Sequence, residues 1–129
     1  MNSKNKIKYS IKGSTILIFL LITYFSFLPG TSLPISYGKL IEKYPNIDLF
    51  IHAFVFFFVY LITYLSFNVP KEKIFVLTIF LSTLLEISQP VFSPKRLFTI
   101  SDLLSNYLGI LLAYLIIFFK SKNYEISKT

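Results

Sequence analysis

The chain has 129 residues, of which 54% are hydrophobic and only 15% are charged, and its formal net charge at pH 7 is +7. Ordinary soluble domains carry about 25% charged residues, so this composition and a mean hydropathy of +0.67 argue against a soluble domain. The absence of cysteine excludes disulfide bonds and thiolate metal sites, and the length suits one domain.

The first apolar segment covers residues 13–28 and follows a basic stretch with four lysines. A basic start and an apolar core are also typical of a cleaved signal peptide. The residues that follow, "SFLPGTSLP", contain no clear small-x-small cleavage site. We therefore predict that this segment is retained as a membrane helix.

Three further apolar segments follow, at residues 49–67, 74–91 and 103–119. About 20 apolar residues are needed for a helix to cross a bilayer. None of the segments has the persistent polar stripe of a soluble amphipathic helix. The sequence therefore predicts an all-α integral membrane protein, in which residues 1–129 form a single domain built as a four-transmembrane-helix bundle.

The distribution of lysine and arginine predicts the orientation of the bundle. Nine basic residues lie in the two termini and in the second loop, whereas four lie in the first and third loops. The basic side of a membrane protein normally faces the cytoplasm, so both termini should be cytoplasmic. The basic tails suit anionic lipid and not nucleic acid, for which the sequence has no binding module.

Polar residues gather near the predicted outer ends of three of the helices. Within each helix they are three or four residues apart and so share a face. Gly109 and Ala113 continue the stripe of the last helix as a small-xxx-small pair, which allows close helix packing and turns the stripe towards the bundle interior. Polar groups at membrane depth are costly, which makes these residues candidates for a binding site. They are Asp48, His52, Glu86, Gln89, Arg96, Asp102 and Asn106.

Structural roles are alternatives for several of these residues. Asp48 would also serve as the N-cap of the second helix, and Ser101 or Asp102 as the N-cap of the fourth. Pro90 and Pro94 are expected to end the third helix and to stiffen the loop after it.

Structural roles are also alternatives for Glu86 and Asn106. Glu86 would form a buried pair with Arg96 and hold the third loop against the bundle. Asn106 would form an interhelical hydrogen bond without any further role.

The order of these elements resembles a known family. The chain contains Asp48-x-x-x-His52, Glu86-x-x-Gln89, Arg96 and Asp102-x-x-x-Asn106-x-x-Gly109. This pattern resembles that of VanZ-like membrane proteins, a family associated with resistance to glycopeptides such as teicoplanin. The resemblance covers roughly residues 48–119, and the first helix is similar only as a leading apolar segment.

The chain departs from that family pattern at three places. Leu49 stands where the family often has lysine. The loop before Arg96 reads "PVFSPK" where an apolar run with a Pro-Gly-like turn is usual. Ala113 replaces a second glycine.

The resemblance implies a bacterial membrane protein in glycopeptide resistance or cell-envelope homeostasis. Our first hypothesis is a non-enzymatic protein whose outer-face polar pocket binds an envelope lipid or a peptidoglycan precursor. Arg96 and Lys95 would meet a phosphate or carboxylate there, because the arginine fork binds such groups bidentately.

The second hypothesis is a membrane hydrolase or transferase that acts on a lipid-linked envelope substrate. His52 would be a general base, Glu86 or Asp102 would orient it or act as an acid, and Arg96 would stabilise negative charge. His52, Glu86 and Asp102 would also suit a divalent metal, as one imidazole and two carboxylates. Because the chain has one histidine, no cysteine and no diagnostic catalytic motif, we favour the first hypothesis and predict no metal and no other cofactor.

Two further classes have less support. A transporter or channel would place polar residues near the membrane midplane and not at one end of the helices. The small-xxx-small pair of Gly109 and Ala113 would also serve self-association into a homo-oligomer or binding to a partner protein.

Overall fold

The computed structural model describes residues 3–27, 43, 44, 46–92 and 98–126, with side chains in residues 12–24, 43, 44, 46–92 and 98–121. Within these ranges the chain forms four α-helices: α1 (Ser3–Phe27), α2 (Ile47–Ser66), α3 (Lys71–Phe92) and α4 (Ile100–Ile126). The prediction of an all-α protein is confirmed. Every helix begins before its predicted apolar segment, because backbone hydrogen bonding continues into the polar residues next to that segment.

Three of the helices are long and apolar enough to cross a bilayer: α2, α3 and residues Ile100–Ser121 of α4. In α1 the described apolar stretch, Lys12–Tyr24, is shorter than a typical span. Many large apolar side chains point outwards from the bundle, among them Phe50 and Leu65 of α2. Such side chains would be unfavourable in water and are suited to contact with lipid.

The core of the bundle lies between α2, α3 and α4. Among the described elements, α2 packs most extensively against α4, and α3 packs against both. The ring of Tyr60 meets the ring of Tyr114 edge-on, with 6.3 Å between the centroids. The buried apolar cluster consists of Phe56, Tyr60, Ile74, Leu85, Ile110, Ala113 and Ile117.

The close approach of α2 and α4 depends on Gly109. A Cβ atom at this position would lie 2.0 Å from the backbone oxygen of Ala53 and 2.8 Å from its carbonyl carbon. Only a residue without a side chain fits against the backbone at that distance. The Gly109–Ala113 stripe therefore faces the interior of the bundle, as predicted, and packs within the chain.

Polar contacts hold the helix ends opposite the predicted outer side. The hydroxyls of Thr15 in α1 and Ser66 in α2 form a buried hydrogen bond. The hydroxyl of Tyr60 donates to the carbonyl oxygen of Lys71 at 3.0 Å, and Nζ of Lys71 donates to Oγ of Ser121 at 3.2 Å. These bonds fix the short connection between α2 and α3 against α4.

Pro90 does not end α3, contrary to the prediction. The helix continues through it to Phe92, and Pro94 lies outside the described residues. A proline inside a helix removes the hydrogen bond to the carbonyl four residues earlier, here that of Glu86. Because Pro90 is in the last turn, the loss is limited to that bond and the backbone keeps its helical path for two more residues.

Candidate functional site

α2 brings Asp48 and His52 to one end of the bundle. The helix begins at Ile47 after the N-cap residue Asn46, so Asp48 lies in the first turn and is not the N-cap. The alternative of an Asp48 cap is therefore wrong, although its charge suits the positive end of the helix dipole. His52 follows one turn later on the same face, and both side chains are partly exposed.

α3 contributes Glu86 at the level of His52. Only 1% of the Glu86 surface is exposed, which is unusual for an ionisable residue in an apolar helix. Gln89 is also buried, about one turn further along the same side of α3. Both residues therefore lie on the face of α3 that is turned to the interior of the bundle.

α4 contributes Asp102 and Asn106. Its first turn is capped by Thr99, whose Oγ1 accepts a hydrogen bond from the backbone N–H of Asp102 at 3.1 Å. Ser101 and Asp102 already lie within the helix, so the alternative that either of them is the N-cap is wrong. Asn106 follows Asp102 by one turn and is fully buried.

Asn106 joins the three helices by hydrogen bonds. Its Nδ2 donates to Oε1 of Glu86 at 2.8 Å, and its Oδ1 lies 3.0 Å from Nδ1 of His52. The amide nitrogen thus faces Glu86 and the amide oxygen faces His52. Because an amide oxygen only accepts hydrogen bonds, Nδ1 of His52 is the donor, and Nε2 takes no part in this bond.

The carboxylate of Glu86 is only partly satisfied. Oε1 accepts the bond from Asn106 and lies 3.4 Å from Nδ1 of His52. Oε2 is buried and has no hydrogen-bond partner among the described residues. A buried carboxylate is costly unless its oxygens are paired, so an oxygen of this kind is a feature that needs a functional or structural reason.

Two aspartates lie close to the imidazole of His52. Asp48, His52 and Asp102 each offer a ligand atom, and these atoms all lie within 4.8 Å of one another. All three residues are partly exposed. We call Asp48, His52, Glu86, Asp102 and Asn106 the polar cluster. It consists of the imidazole, two buried residues that lie near its Nδ1, and two partly exposed carboxylates close to it.

The structure thus brings five of the seven predicted residues together. Gln89 is buried near them. Arg96 and Lys95 lie outside the described residues. The alternative pairing of Glu86 with Arg96 therefore stays a prediction. Within the described residues, Glu86 contacts His52 and Asn106. The alternative role of Asn106 as an interhelical hydrogen-bond residue is observed, and it is the same contact that orients His52.

Sequence reasoning missed four residues that support this arrangement. Ala53 provides the backbone surface against which Gly109 packs, and nothing in its residue type indicates that contact. Thr99 caps α4 from a position next to the predicted loop. Oγ1 of Thr83 and the hydroxyl of Tyr107 lie 2.6 Å apart and join α3 to α4. Thr83 precedes Glu86 by about one turn, and Tyr107 directly follows Asn106. The presence of a threonine and a tyrosine in otherwise apolar helices could have indicated the contact between Thr83 and Tyr107.

The arrangement is an imidazole oriented by hydrogen bonding at Nδ1, with the carboxylates of Asp48, Glu86 and Asp102 close to it. A neutral histidine whose Nδ1 is held by hydrogen bonds can accept a proton or bind a cation through Nε2. The charge of the cluster favours cationic ligands or substrate groups that donate hydrogen bonds. Either chemistry would take place at the end of the bundle formed by the start of α2, the end of α3 and the start of α4.

The model of the VanZ/LLP1 family matches residues 7–121 of the chain, which is most of its length. The chain belongs to the VanZ/LLP1 family. The predicted resemblance is therefore confirmed, and the match also includes most of α1, where the motifs gave no signal. The matched range contains every residue of the VanZ-type motifs. No curated protein and no solved structure matches the chain.

Proposed function

We propose that this VanZ-family protein crosses the cell membrane four times, with both termini in the cytoplasm. α2, α3 and α4 each have the length and composition of a span. α1 is a 25-residue helix whose lysines precede its apolar stretch, as in a helix that enters from the basic side of a membrane. The nine-to-four distribution of basic residues supports the same orientation.

In this orientation the polar cluster lies at the outer face. The start of α2, the end of α3 and the start of α4 all lie on the side away from the basic tails. The cluster would then face the outer leaflet, where envelope lipids present their headgroups. The same topology places Gln89 and the loop with Lys95 and Arg96 on the outer side of the membrane.

The function that we assign is a reduction of susceptibility to glycopeptides of the teicoplanin type, or maintenance of the cell envelope, by a pocket that binds an envelope lipid or peptidoglycan precursor. One observation carries this proposal: Asn106 links the buried Glu86 to His52 at the end of three apolar helices. Buried polar groups in a membrane protein are costly and are typical of functional sites. Family membership supports the role in the envelope.

Expression in a glycopeptide-susceptible bacterium tests the proposed function. The minimum inhibitory concentrations of teicoplanin and of other glycopeptides are compared between cells with the protein and cells with the empty vector. We expect a higher value for teicoplanin-type compounds when the protein is in the membrane. Unchanged values for the whole panel, at verified membrane levels of the protein, would contradict the resistance role.

A second candidate function is catalysis on a lipid-linked envelope substrate. The observation that favours it is the orientation of His52, whose Nδ1 is held by Asn106 and Glu86 so that Nε2 faces away from them as a general base. Incubation of the purified protein with lipid-linked precursors distinguishes the two functions. Turnover by the wild type that disappears in His52→Ala supports catalysis, whereas binding without turnover supports the first function.

A further inference from the structure

The part of the polar cluster that faces outwards has the chemistry of a metal site. Asp48, His52 and Asp102 offer two carboxylate oxygens and one imidazole nitrogen, all within 4.8 Å of one another. Ligand atoms in a tetrahedral Zn²⁺ site with metal–ligand distances of ~2.1 Å are about 3.4 Å apart. Since the three side chains are partly exposed, small rotations of the aspartates would close the remaining gap.

The hydrogen bonds behind His52 match those that support metal-bound histidines. A histidine that binds a metal through one nitrogen usually donates its other N–H to a carboxylate or an amide oxygen. Here Nδ1 of His52 lies 3.0 Å from Oδ1 of Asn106 and 3.4 Å from Oε1 of Glu86. The bond to Oδ1 of Asn106 holds a proton on Nδ1, so a cation would bind His52 through Nε2.

The buried carboxylate of Glu86 is a second observation beside the imidazole. The carboxylate faces the imidazole, and only 2% of the Glu86 side chain is exposed. Its Oε2 has no hydrogen-bond partner among the described residues. Oε1 of the same carboxylate lies 3.4 Å from Nδ1 of His52. A cation on the far side of the imidazole would polarise His52 and so stabilise the buried carboxylate.

We propose that Asp48, His52 and Asp102 form a binding site for one divalent transition-metal ion, for which Zn²⁺ is the best-suited probe. Imidazole favours Zn²⁺ and its neighbours in the first transition row over Mg²⁺ or Ca²⁺, which prefer sites made of oxygen ligands alone. Three protein ligands leave at least one coordination position open to water or to a ligand anion. Glu86 and Asn106 are positioning residues that orient the imidazole. The proposal goes beyond the proposed function, because metal binding is measured without any resistance phenotype.

The first test measures Zn²⁺ binding to the full chain, purified in detergent with an affinity tag that contains no histidine. We expect saturable binding of about one ion per chain, as the three-ligand site implies. Asp48→Asn and Asp102→Asn should each weaken binding at least about tenfold, because each removes a charged ligand. Glu72→Gln is the matched control, since Glu72 is an exposed carboxylate at the other end of α3, and it should bind as the wild type does. No saturable binding, or equal affinity in the aspartate variants, would overturn the proposal.

The second test uses the wild type alone and so does not depend on whether a variant folds. The chain has one histidine, so ¹⁵N labelling of histidine side chains reports on His52 without overlap from other residues. Zn²⁺ should shift the Nε2 resonance, while Nδ1 keeps its proton. If neither nitrogen responds at Zn²⁺ saturation, His52 is not a ligand and the proposal is wrong, whatever the first test shows.

Discussion

Asn106 donates a hydrogen bond from Nδ2 to Oε1 of Glu86 at 2.8 Å, and both residues are almost completely buried. The bond connects α3 and α4 at the level where His52 of α2 reaches the same amide. In an apolar bundle these groups have few alternative partners, so the position of each depends on the other two. The polar cluster is therefore best understood as one unit that spans three helices.

Replacement of Asn106 by leucine should destabilise the protein through Glu86. The substitution would leave a buried carboxylate without its donor and Nδ1 of His52 without its acceptor, which costs about 1–3 kcal/mol. Unfolding in detergent by a chemical denaturant measures the change. Asn68→Leu is the control, because Asn68 is exposed in the α2–α3 connection. Equal stability of Asn106→Leu and the wild type would show that the bond contributes nothing.

The coupling between the two residues has its own test. If the cost arises from an unpaired carboxylate, then Glu86→Leu combined with Asn106→Leu should cost less than the sum of the single changes. Unfolding free energies of the four proteins in this cycle give the coupling. Strict additivity would mean that the two side chains act independently.

Gly109→Ala should weaken the packing of α2 against α4. The added Cβ would lie 2.0 Å from the carbonyl oxygen of Ala53, and backbone atoms can make room only if the helices separate. Overpacking of this kind costs about 1–3 kcal/mol. Gly13→Ala is a matched control, because a Cβ there meets nothing within 4 Å and should stabilise α1 by up to ~1 kcal/mol. A Gly109→Ala protein as stable as the wild type would contradict the observed approach of the helices.

Alanine substitutions of two nearby hydroxyl residues test which of them is the N-cap of α4. Thr99→Ala removes the acceptor for the N–H of Asp102 and should cost about 0.5–2 kcal/mol. Ser101→Ala, two positions later and exposed, should change stability by less than about 0.5 kcal/mol. The reverse order of the two effects would restore Ser101 as the cap.

The absence of cysteine makes the orientation simple to measure. Asn68→Cys places a single thiol between α2 and α3, and Ser101→Cys places one at the start of α4. A maleimide that does not cross membranes should label Ser101→Cys in intact cells, and Asn68→Cys only after the membrane is opened. Labelling in the opposite pattern would invert the topology and place the polar cluster on the cytoplasmic side.

Much of the candidate site followed from helical periodicity. Asp102, Asn106, Gly109 and Ala113 recur every three or four residues, and a helix places such residues on one face whatever its tertiary contacts. The small residues at 109 and 113 then indicated which face was interior. For α3 the sequence showed the spacing of Glu86 and Gln89 but not the direction of their face, which the structure turns to the interior.

Other features depend on contacts that periodicity does not contain. The sequence offered His52, Glu86 and Asp102 as an alternative metal set and favoured no metal. The structure groups Asp48 with His52 and Asp102, and the carboxylate of Glu86 lies near Nδ1 of His52. Which side of a ring a carboxylate occupies depends on how three helices pack. Pro90 was expected to end α3, but local sequence rules could not show that the helix tolerates it in its last turn.

The most direct test of the central claim is whether the polar cluster carries the resistance phenotype. His52→Ala, Asp102→Asn and Glu72→Gln proteins are produced at equal membrane levels, and the minimum inhibitory concentration of teicoplanin is measured for each. We predict that His52→Ala and Asp102→Asn return it to the empty-vector value, while Glu72→Gln retains the wild-type value. Full protection by the His52 and Asp102 variants would contradict a functional role for the cluster.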